Sequence, residues 1–469
     1  KSMQILADKV DEMIVWISDK VAEFIDKVFT KVSGMPRPKG SETPDVRVNA
    51  GKGSGEVDNV VNKVETEKLN NQLNTKEGEC TNGCPIDMAT GFVVDWRTDF
   101  TVNGRLALTQ KRFYHSSGLM LTGLLGTRWR SVWDMTLELK GEQATFTDDQ
   151  YTQAVYLLPK EGEENLAAHL PEWRLTRQNK QLIMLHVSGL QYSFNHALAN
   201  TLLLTKISDG QGNSNHFLYD RGTLKKIVLA NGQQIHVDCR RKRIEKLTLL
   251  DSQLNPIQIL AHYEYDKQGQ MRSCRAAPCC SFDYQYSKEG YLLRWSDLSH
   301  TWIEHDYDEQ GRAIASRGAE GRFSDQIRFD DENNIVYYKS ALNGIKEYHR
   351  DERNNIIRII FPNGEETHNE WIDNQLVAQS NALEERVEFA YDDWGQIKTI
   401  TSPDGSTAEY QYDDNAQLIG YQNPLGANWK YDYDEEGNLS SVSDPLAQQW
   451  HYHYTSGGHL ERVVSPEGA

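Results

Sequence analysis

The sequence predicts a mainly β protein in which antiparallel hairpins repeat along one long sheet, with an α-helical segment at the N-terminus. Three observations lead to this prediction. A tyrosine-centred pattern recurs every 21 residues, as at Tyr412, Tyr433 and Tyr454. Aromatic and polar residues alternate inside each repeat, and a helical stripe of apolar residues lies near the start of the chain. Self-similarity at a fixed period is the signature of a repeat architecture.

The repeat covers most of the C-terminal half and has a physical reason at each position. Asp follows most anchors and starts a turn, because its carboxylate accepts backbone N–H groups two residues on. Gly or Asn comes four residues after the anchor, where positive φ is cheapest, and an apolar residue comes six after it. The anchors are Tyr265, Tyr286, Tyr307, Phe329, Arg350, Tyr391, Tyr412, Tyr433 and Tyr454, with a degenerate unit near Glu370–Trp371.

Each unit is predicted to be strand, turn, strand, turn. Before the anchors, sets such as Trp429, Tyr431 and Tyr433 alternate with polar residues, which is typical of a half-buried strand. A second turn follows, for example at Pro424-Leu-Gly426. Because one hairpin cannot hide its aromatic face alone, neighbouring units are expected to stack in one sheet. The repeat-defining residues are Tyr307, Asp308, Gly311, Tyr391, Asp392, Gly395, Tyr433, Asp434, Gly437 and Leu439.

Composition limits the classes of function. The chain has 469 residues and a net charge of −18, which argues against a nucleic-acid surface. It has no apolar run long enough to span a bilayer. Its 6 cysteines are too few for a disulfide scaffold. The sequence predicts no cofactor and no metal site, since His451 and His453 lack acidic or thiol partners at metal-binding spacing.

The N-terminal segment is predicted to be an amphipathic helix over residues 1–32. Two readings stay open: the helix packs on its own domain, or it docks on a secretion spike protein or a chaperone. Residues 33–79 are predicted to be a linker with one short possible helix, because Gly, Pro and charge dominate there. The candidate partner-binding residues are Val10, Ile14, Ile17, Val21, Phe24 and Val28.

Two motifs resemble a known family. The unit Tyr-Asp-x-x-Gly-x-Leu, seen at Tyr307–Ala313, Tyr391–Ile397 and Tyr433–Leu439, resembles the YD repeat of bacterial Rhs polymorphic toxins. The stretch Cys84–Ser117, continued by Gly123–Leu137, resembles the conserved domain that precedes those repeats. The likeness covers roughly residues 80–469 and is weakest over 140–200. It implies that residues 80–204 form an N-terminal β domain or plug and that residues 205–469 form the YD repeats.

The resemblance implies a spiralling sheet that forms part of a hollow shell around a toxic C-terminal domain. It implies delivery by type VI secretion, with the protein in the bacterial cytoplasm before export and then secreted or delivered into a target cell. The expected partners are the remainder of the shell and the enclosed toxin. The chain is expected to be the N-terminal part of a larger shell and to lack enzymatic activity. Self-cleavage is left open, with Cys80 and Cys84 as candidate thiols.

An alternative function stays open at this point. The exposed Tyr and Trp residues would bind carbohydrate or another protein, and the chain would be an extracellular adhesion module. An enzyme is the reading with least support, because the repeat residues all have turn or core explanations. The two leading alternatives differ in whether the aromatic side chains are used inside the sheet or left free for a ligand.

Overall fold

The computed structural model describes residues 81–82, 86–117, 122–167, 170, 172–276, 280–321, 324–372, 375–393, 395–413, 417–434, 438–455 and 460–466. The predicted helix and its docking residues lie outside this part of the chain, as do the linker, Cys80, Cys84 and Gly437. The described chain is mainly β. Its one helical element is a three-residue 3₁₀ turn, Ala319–Gly321.

Seven short strands precede the main sheet. They are β1 Thr81–Asn82, β2 Ile86–Asp87, β3 Val94–Val102, β4 Leu108–His115, β5 Thr122–Gly123, β6 Gly126–Thr127 and β7 Trp129–Ser131. Of these, β3, β4 and β7 form a small antiparallel sheet, while β1 pairs with β2 and β5 with β6. We call residues 86–117 and 122–135 the N-terminal module.

The main sheet begins with a ring. Its strands are β8 Thr136–Lys140, β9 Gln143–Thr147, β10 Gln153–Leu157, β11 Glu164–Leu166, β12 Trp173–Gln178, β13 Gln181–His186, β14 Gln191–Leu198 and β15 Thr201–Ser208. Strand β8 pairs with β9 on one side and with β15 on the other, through Thr201↔Glu138 to Leu203↔Thr136. This second pairing closes the first strands on themselves, so the long sheet starts without an open edge at β8.

The sheet then continues as consecutive hairpins. The strands are β16 Ser214–Asp220, β17 Thr223–Val228, β18 Gln234–Arg240, β19 Arg243–Leu250, β20 Pro256–Tyr265, β21 Met271–Ala276, β22 Cys280–Tyr286, β23 Leu292–Asp297, β24 Trp302–Tyr307, β25 Ala313–Gly318, β26 Asp325–Asp330 and β27 Ile335–Lys339. They are followed by β28 Ile345–Arg350, β29 Ile356–Ile360, β30 Glu366–Ile372, β31 Gln375–Asn381, β32 Arg386–Tyr391, β33 Ile397–Thr401, β34 Thr407–Tyr412, β35 Leu418–Gln422, β36 Asn428–Tyr433, β37 Leu439–Ser443, β38 Gln449–Tyr454 and β39 Leu460–Val464.

Each strand from β11 to β39 is hydrogen-bonded to the next one along the chain, and every pair is antiparallel. The prediction of hairpins in one large antiparallel sheet is therefore confirmed. Alternation also holds: in β36, Tyr431 is buried and Trp429 and Tyr433 are half-buried, whereas Lys430 and Asp432 on the other face are exposed. The period of two places the three aromatic residues of this strand on the same side.

Two large hydrophobic clusters follow the sheet, and a small third one joins Val94, Phe113 and Tyr151. The larger one joins the N-terminal module to the strands as far as β29, because residues such as Trp129 and Trp133 belong to the same buried cluster as Tyr263 and Ile359. The second runs from Leu376 to Tyr452 and contains only repeat residues. The module therefore packs on the first part of the sheet, and the last hairpins build a core of their own.

Candidate functional site: the interface between the N-terminal module and the sheet

The anchor side chain of one repeat unit donates a hydrogen bond to a backbone carbonyl of the preceding unit. The Tyr307 hydroxyl donates to the carbonyl oxygen of Leu292, 15 residues earlier, at 2.7 Å. Leu292 occupies the apolar position of the preceding unit, so the anchor of one hairpin is tied to the backbone of the one before it. The same 15-residue bond is made by Tyr219, Tyr286, Trp371, Tyr391, Tyr412, Tyr433 and Tyr454.

The aspartate after the anchor closes the turn. One carboxylate oxygen of Asp308 accepts the backbone N–H groups of Gln310 and Arg312, at 3.0 and 2.9 Å. Gly311 adopts a φ of +80°, which a side chain with a Cβ rarely adopts. Asp392 and Asp434 accept the corresponding N–H groups of Gln396 and Asn438, and Gly395 also has positive φ. These residues shape the hairpins and offer no reactive group.

Three units depart from the tyrosine pattern. Trp371 serves as the anchor of the degenerate unit, donating its indole N–H to the Ile356 carbonyl at 3.0 Å. Phe329 has no hydroxyl, and the Arg312 guanidinium lies 4.2 Å above its ring. The guanidinium of Arg350 donates to the carbonyl of Ala89 in the N-terminal module, at 2.6 Å. Phe329 also borders the module, because a Cβ added to Gly91 would clash with its ring. Phe329 and Arg350 therefore both lie where the module meets the sheet.

The module is joined to the turns and strands of the sheet by backbone hydrogen bonds. The Ile244 N–H donates to the Leu124 carbonyl at 2.8 Å, and the Ala313 N–H donates to the Gly91 carbonyl at 2.7 Å. The Thr127 N–H donates to the Gly269 carbonyl at 3.2 Å. Backbone groups that bond across an interface have lost water there, so each is costly to leave unpaired. The module is held along several consecutive hairpins.

Gly126 explains how closely the two parts approach. It adopts a φ of +94°, and a Cβ added there would clash with the Gly269 carbonyl oxygen and lie 3.1 Å from the Tyr265 ring. Glycine is therefore required by both conformation and space. The neighbouring bond from Thr127 to Gly269 depends on this close approach.

A buried ion pair lies at the centre of the interface. The Nε atom of Arg112 on β4 lies 2.7 Å from Oδ1 of Asp99 on β3, and both side chains are fully buried. Asp99 also accepts the hydroxyl of Tyr263 at 2.6 Å, and Arg112 donates to the hydroxyl of Tyr284. Both tyrosines belong to the main sheet. Burial first, and then the charge of Asp99, raises the pKa of Tyr263 far above its usual range.

Aromatic side chains surround this ion pair. The Arg112 guanidinium lies 4.9 Å from the centre of the Trp129 ring. The Trp129 indole N–H donates to the Tyr286 hydroxyl at 2.8 Å, and that hydroxyl donates in turn to the Met271 carbonyl. The Leu292 N–H donates to the hydroxyl of Tyr114, which is fully buried, and burial raises the pKa of Tyr114 to about 12. Leu292 thus links the module and the repeat ladder through its two backbone groups.

The described polar residues of this interface are largely buried. His115 is buried against Phe92 and Phe113, and burial and Arg128 lower its pKa to about 3. No group of three or more metal-ligating side chains occurs among the described residues. Across those residues, no helix has the length and apolarity needed to cross a membrane. The geometry defines a contact surface whose chemistry is burial and hydrogen bonding.

Sequence reasoning missed this interface. Asp99 and Arg112 stand in a segment rich in charges, and nothing in their spacing distinguishes a buried pair from solvated ones. The signal that could have found them is the alternation within β4, where Leu108, Arg112 and Tyr114 fall on one buried face. A charged residue between apolar ones on a buried face must find a buried partner.

The fold and this interface define a class: an antiparallel hairpin-repeat protein with a separate N-terminal module packed on its sheet. Two family models match the chain, a domain of unknown function (DUF6531) over residues 83–156 and the Teneurin YD-shell over residues 373–469. The resemblance to the Rhs/YD-repeat family that its tyrosine and aspartate motifs predict is confirmed.

Curated relatives agree with this assignment. The probable deoxyribonuclease RhsB of Dickeya dadantii (strain 3937) is 27% identical over 364 residues, which is 68% of this chain and 23% of RhsB. RhsA of the same strain is 26% identical over 287 residues, 56% of this chain and 18% of its own. The double-stranded DNA deaminase toxin A of Burkholderia cenocepacia (strain H111) is 29% identical over 113 residues, 24% of this chain and 8% of its own. This chain therefore spans less than a quarter of each of these relatives.

Two solved structures can be aligned with most of this chain. The crystal structure of TcdB2-TccC3-Cdc42 aligns over 91% of this chain and 27% of its own, at 11% identity and a TM-score of 0.38. The Photorhabdus luminescens Tc holotoxin pore aligns over 80% of this chain and 26% of its own, at 12% identity and a TM-score of 0.37.

Proposed function

We propose that this chain is the N-terminal shell and plug portion of an Rhs-type toxin, which encapsulates a toxic C-terminal domain. The observation that carries the proposal is the buried ion pair Asp99–Arg112, to which Tyr263 and Tyr284 of the sheet are hydrogen-bonded. A module that needs the sheet to satisfy its buried charges is suited to remain attached and to seal. The family resemblance supports a toxin-shell role, and the Rhs relatives' length leaves room for an enclosed domain.

In this proposal the chain acts by containment. Residues 80–204 contribute the N-terminal β domain and plug, and residues 205–469 wind into a spiralling wall of YD repeats. The wall and plug carry no enzymatic activity, and the toxic activity belongs to the enclosed domain. The partners are the remainder of the shell and that domain. Residues 1–32 dock on a secretion spike protein or chaperone, and residues 33–79 link this helix to the plug.

The proposal includes a route. The assembled toxin is held in the bacterial cytoplasm and is then exported by type VI secretion into a competing cell. The Rhs names of the curated relatives support a toxin context, and the secretion route rests on the family resemblance alone. A shell protects the producing cell until delivery, because a substrate outside a closed wall cannot reach the enclosed active site.

The adhesion alternative is disfavoured by how the aromatic residues are used. Anchors such as Tyr391 and Tyr433 donate their hydroxyls to backbone carbonyls of the preceding unit, at 2.7 and 2.9 Å. Tyr410 and Tyr431 are buried among their neighbours. A carbohydrate-binding surface needs free aromatic faces and free polar groups, and the repeat uses both for its own cohesion.

Electron microscopy and limited proteolysis of the full gene product that contains this chain test the proposal together. We expect a closed particle with internal density and a C-terminal domain that resists protease until the particle is denatured. Arg112→Met should make that domain accessible, because it leaves Asp99 buried without its partner. The control is Arg317→Met, which removes an exposed partner of Asp306. An open rod, or a C-terminal domain digested at the same rate in native and denatured particles, would contradict encapsulation.

A further inference from the structure

The hairpin that joins β18 to β19 concentrates four cationic residues at one tip. Arg241 and Lys242 form its two-residue turn, with φ of 52° and 63°. Arg240 and Arg243 flank the turn and are direct cross-strand partners. Like charges directly opposite each other on a ladder are destabilising. The chain as a whole has a net charge of −18, so this tip differs sharply from its surroundings.

Among the described residues, no carboxylate is paired with any of these four side chains. Neighbouring arginines on the same sheet are paired: Arg272 lies 2.7 Å from Glu264, and Arg275 lies 2.6 Å from Asp283. Within the described ranges, no ion pair is formed by any residue from Arg240 to Arg243. The repulsion at the tip is therefore not offset inside the described part of the protein.

The tip borders a cavity of about 490 Å³. Five cationic and two acidic side chains line it together with the Tyr265 ring, namely Arg240, Arg241, Arg243, Lys267, Arg272, Glu245 and Asp266. Arg272 is already paired with Glu264, which leaves four other cationic side chains against two acidic ones. The cavity therefore carries an excess of positive charge.

Arg243 forms a fixed wall of the cavity. Its guanidinium lies 5.2 Å from the centre of the Tyr265 ring and packs against Gly269, where an added Cβ would clash with it. The Nε atom of Arg243 is buried and has no hydrogen-bond partner among the residues that the structure describes. Tyr265 is itself held by its hydroxyl, which donates to the Ile244 carbonyl at 2.6 Å. An arginine held in this way presents its remaining N–H donors in a defined direction.

We propose that this cavity binds an oligophosphate anion, with Arg240, Arg241 and Arg243 as the principal donors. Guanidinium groups match phosphate oxygens with paired, charge-assisted hydrogen bonds. Several phosphate groups in succession bring high charge density into a small volume, which suits the excess of cations here. A glutamate-rich peptide spreads its carboxylates along an extended chain and suits the cavity less well. The phosphates could belong to a soluble oligophosphate or to lipid headgroups.

Calorimetric titration of the purified chain with inorganic tripolyphosphate tests the site, and vesicle flotation tests the lipid source. The test variant is Arg241→Gln/Lys242→Gln, and the control is Lys140→Gln/Lys288→Gln, which removes the same charge from two exposed lysines, one at the end of β8 and one in a turn. We expect saturable binding by the wild type and the control, weakened about tenfold or more in the test variant. Added salt should weaken the binding in each case.

Other outcomes either identify the source of the phosphate or overturn the proposal. Binding to phosphatidic acid vesicles but not to tripolyphosphate or to phosphatidylcholine vesicles, lost in the test variant, supports the site and assigns it to headgroups. No binding to either phosphate source overturns the proposal, as does equal binding by the two double variants or selective binding of poly-glutamate. The melting temperature provides the folding check. It should not fall in the test variant, because removing charge at the tip relieves repulsion.

Discussion

Tyr307 and Leu292 lie on neighbouring hairpins, and the hydroxyl of the first donates a 2.7 Å hydrogen bond to the backbone carbonyl of the second. Leu292 also donates its N–H to Tyr114 of the N-terminal module, at 2.8 Å. One residue therefore connects the repeat ladder to the module. This relationship gives the tyrosine anchor a role that its aromatic ring alone does not explain, because phenylalanine would pack equally well.

Tyr307→Phe is expected to lower the free energy of unfolding by about 1–2 kcal/mol, because the Leu292 carbonyl loses its side-chain donor in a buried place. Urea unfolding followed by tyrosine and tryptophan fluorescence measures the change. The control is Tyr337→Phe, whose hydroxyl forms no hydrogen bond to a carbonyl within the described ranges and whose ring lies 3.9 Å from the Arg328 guanidinium. Equal losses in the two variants would argue against a special role for the anchor hydroxyl.

Asp308→Ala should lower stability by about 1–2 kcal/mol, because it removes the acceptor for two turn N–H groups and the 2.8 Å ion pair with Arg312. Glu309→Ala in the same turn is the matched control, since that side chain is exposed. Thermal unfolding by circular dichroism gives the comparison. The explanation fails if the exposed glutamate proves as costly to remove as the aspartate.

Arg112→Met is expected to be far more damaging, at about 3–5 kcal/mol, because the Asp99 carboxylate stays buried without its cation. Arg317→Met, at an exposed arginine–aspartate pair, should cost at most about 1 kcal/mol. Denaturant unfolding measures both. The double variant Asp99→Leu/Arg112→Met should recover part of the loss, since no uncompensated charge remains. A double variant less stable than Arg112→Met alone would refute this account.

Stability should depend on pH through His305. This imidazole is buried, neither ring nitrogen has a hydrogen-bond partner in the described part of the chain, and burial lowers its pKa to about 4. Its folded pKa lies below the ordinary value near 6.5, so the unfolded chain binds the proton first as pH falls. The stability that His305 contributes is therefore present above about pH 6.5 and is lost as pH falls towards 4.

His305→Leu should make this pH dependence shallower by up to about 1.4 kcal/mol per pH unit between pH 6 and 5. Denaturant titrations at a series of pH values measure it. Ile303→Leu, a buried change on the same strand that keeps the imidazole, is the control and should leave the slope unaltered. An unchanged slope in His305→Leu would mean that this histidine is not protonated on unfolding in that range.

Much of the repeat could be predicted from the sequence because its signals are local. Asp308 and Gly311 act within their own turn, and Trp429, Tyr431 and Tyr433 alternate within one strand, so spacing alone reveals them. The 15-residue bond joins two units through a backbone carbonyl, which has no residue-type signal. Tyr219 makes this bond outside the range where the period was recognised, because the units around it carry Cys239 and other substitutions in place of tyrosine.

The pairing of β8 with β15 and the burial of Arg112 could not be predicted because both depend on tertiary contacts. Strand β8 meets β15 across 60 residues that have no recognisable period, through partners such as Leu202↔Leu137. Arg112 donates to Tyr284 and its partner Asp99 accepts from Tyr263, and both tyrosines lie far along the chain. Charge patterns report solvent exposure on average, and this pair is the exception that tertiary packing creates.

The backward reach of each anchor constrains how such a chain can change its length. Duplicating or deleting one whole repeat recreates the same contact between new neighbours, whereas inserting a single amino acid shifts the donor away from its carbonyl and turns the strand's faces over. Proteins with this repeat should therefore differ in length by whole hairpin repeats.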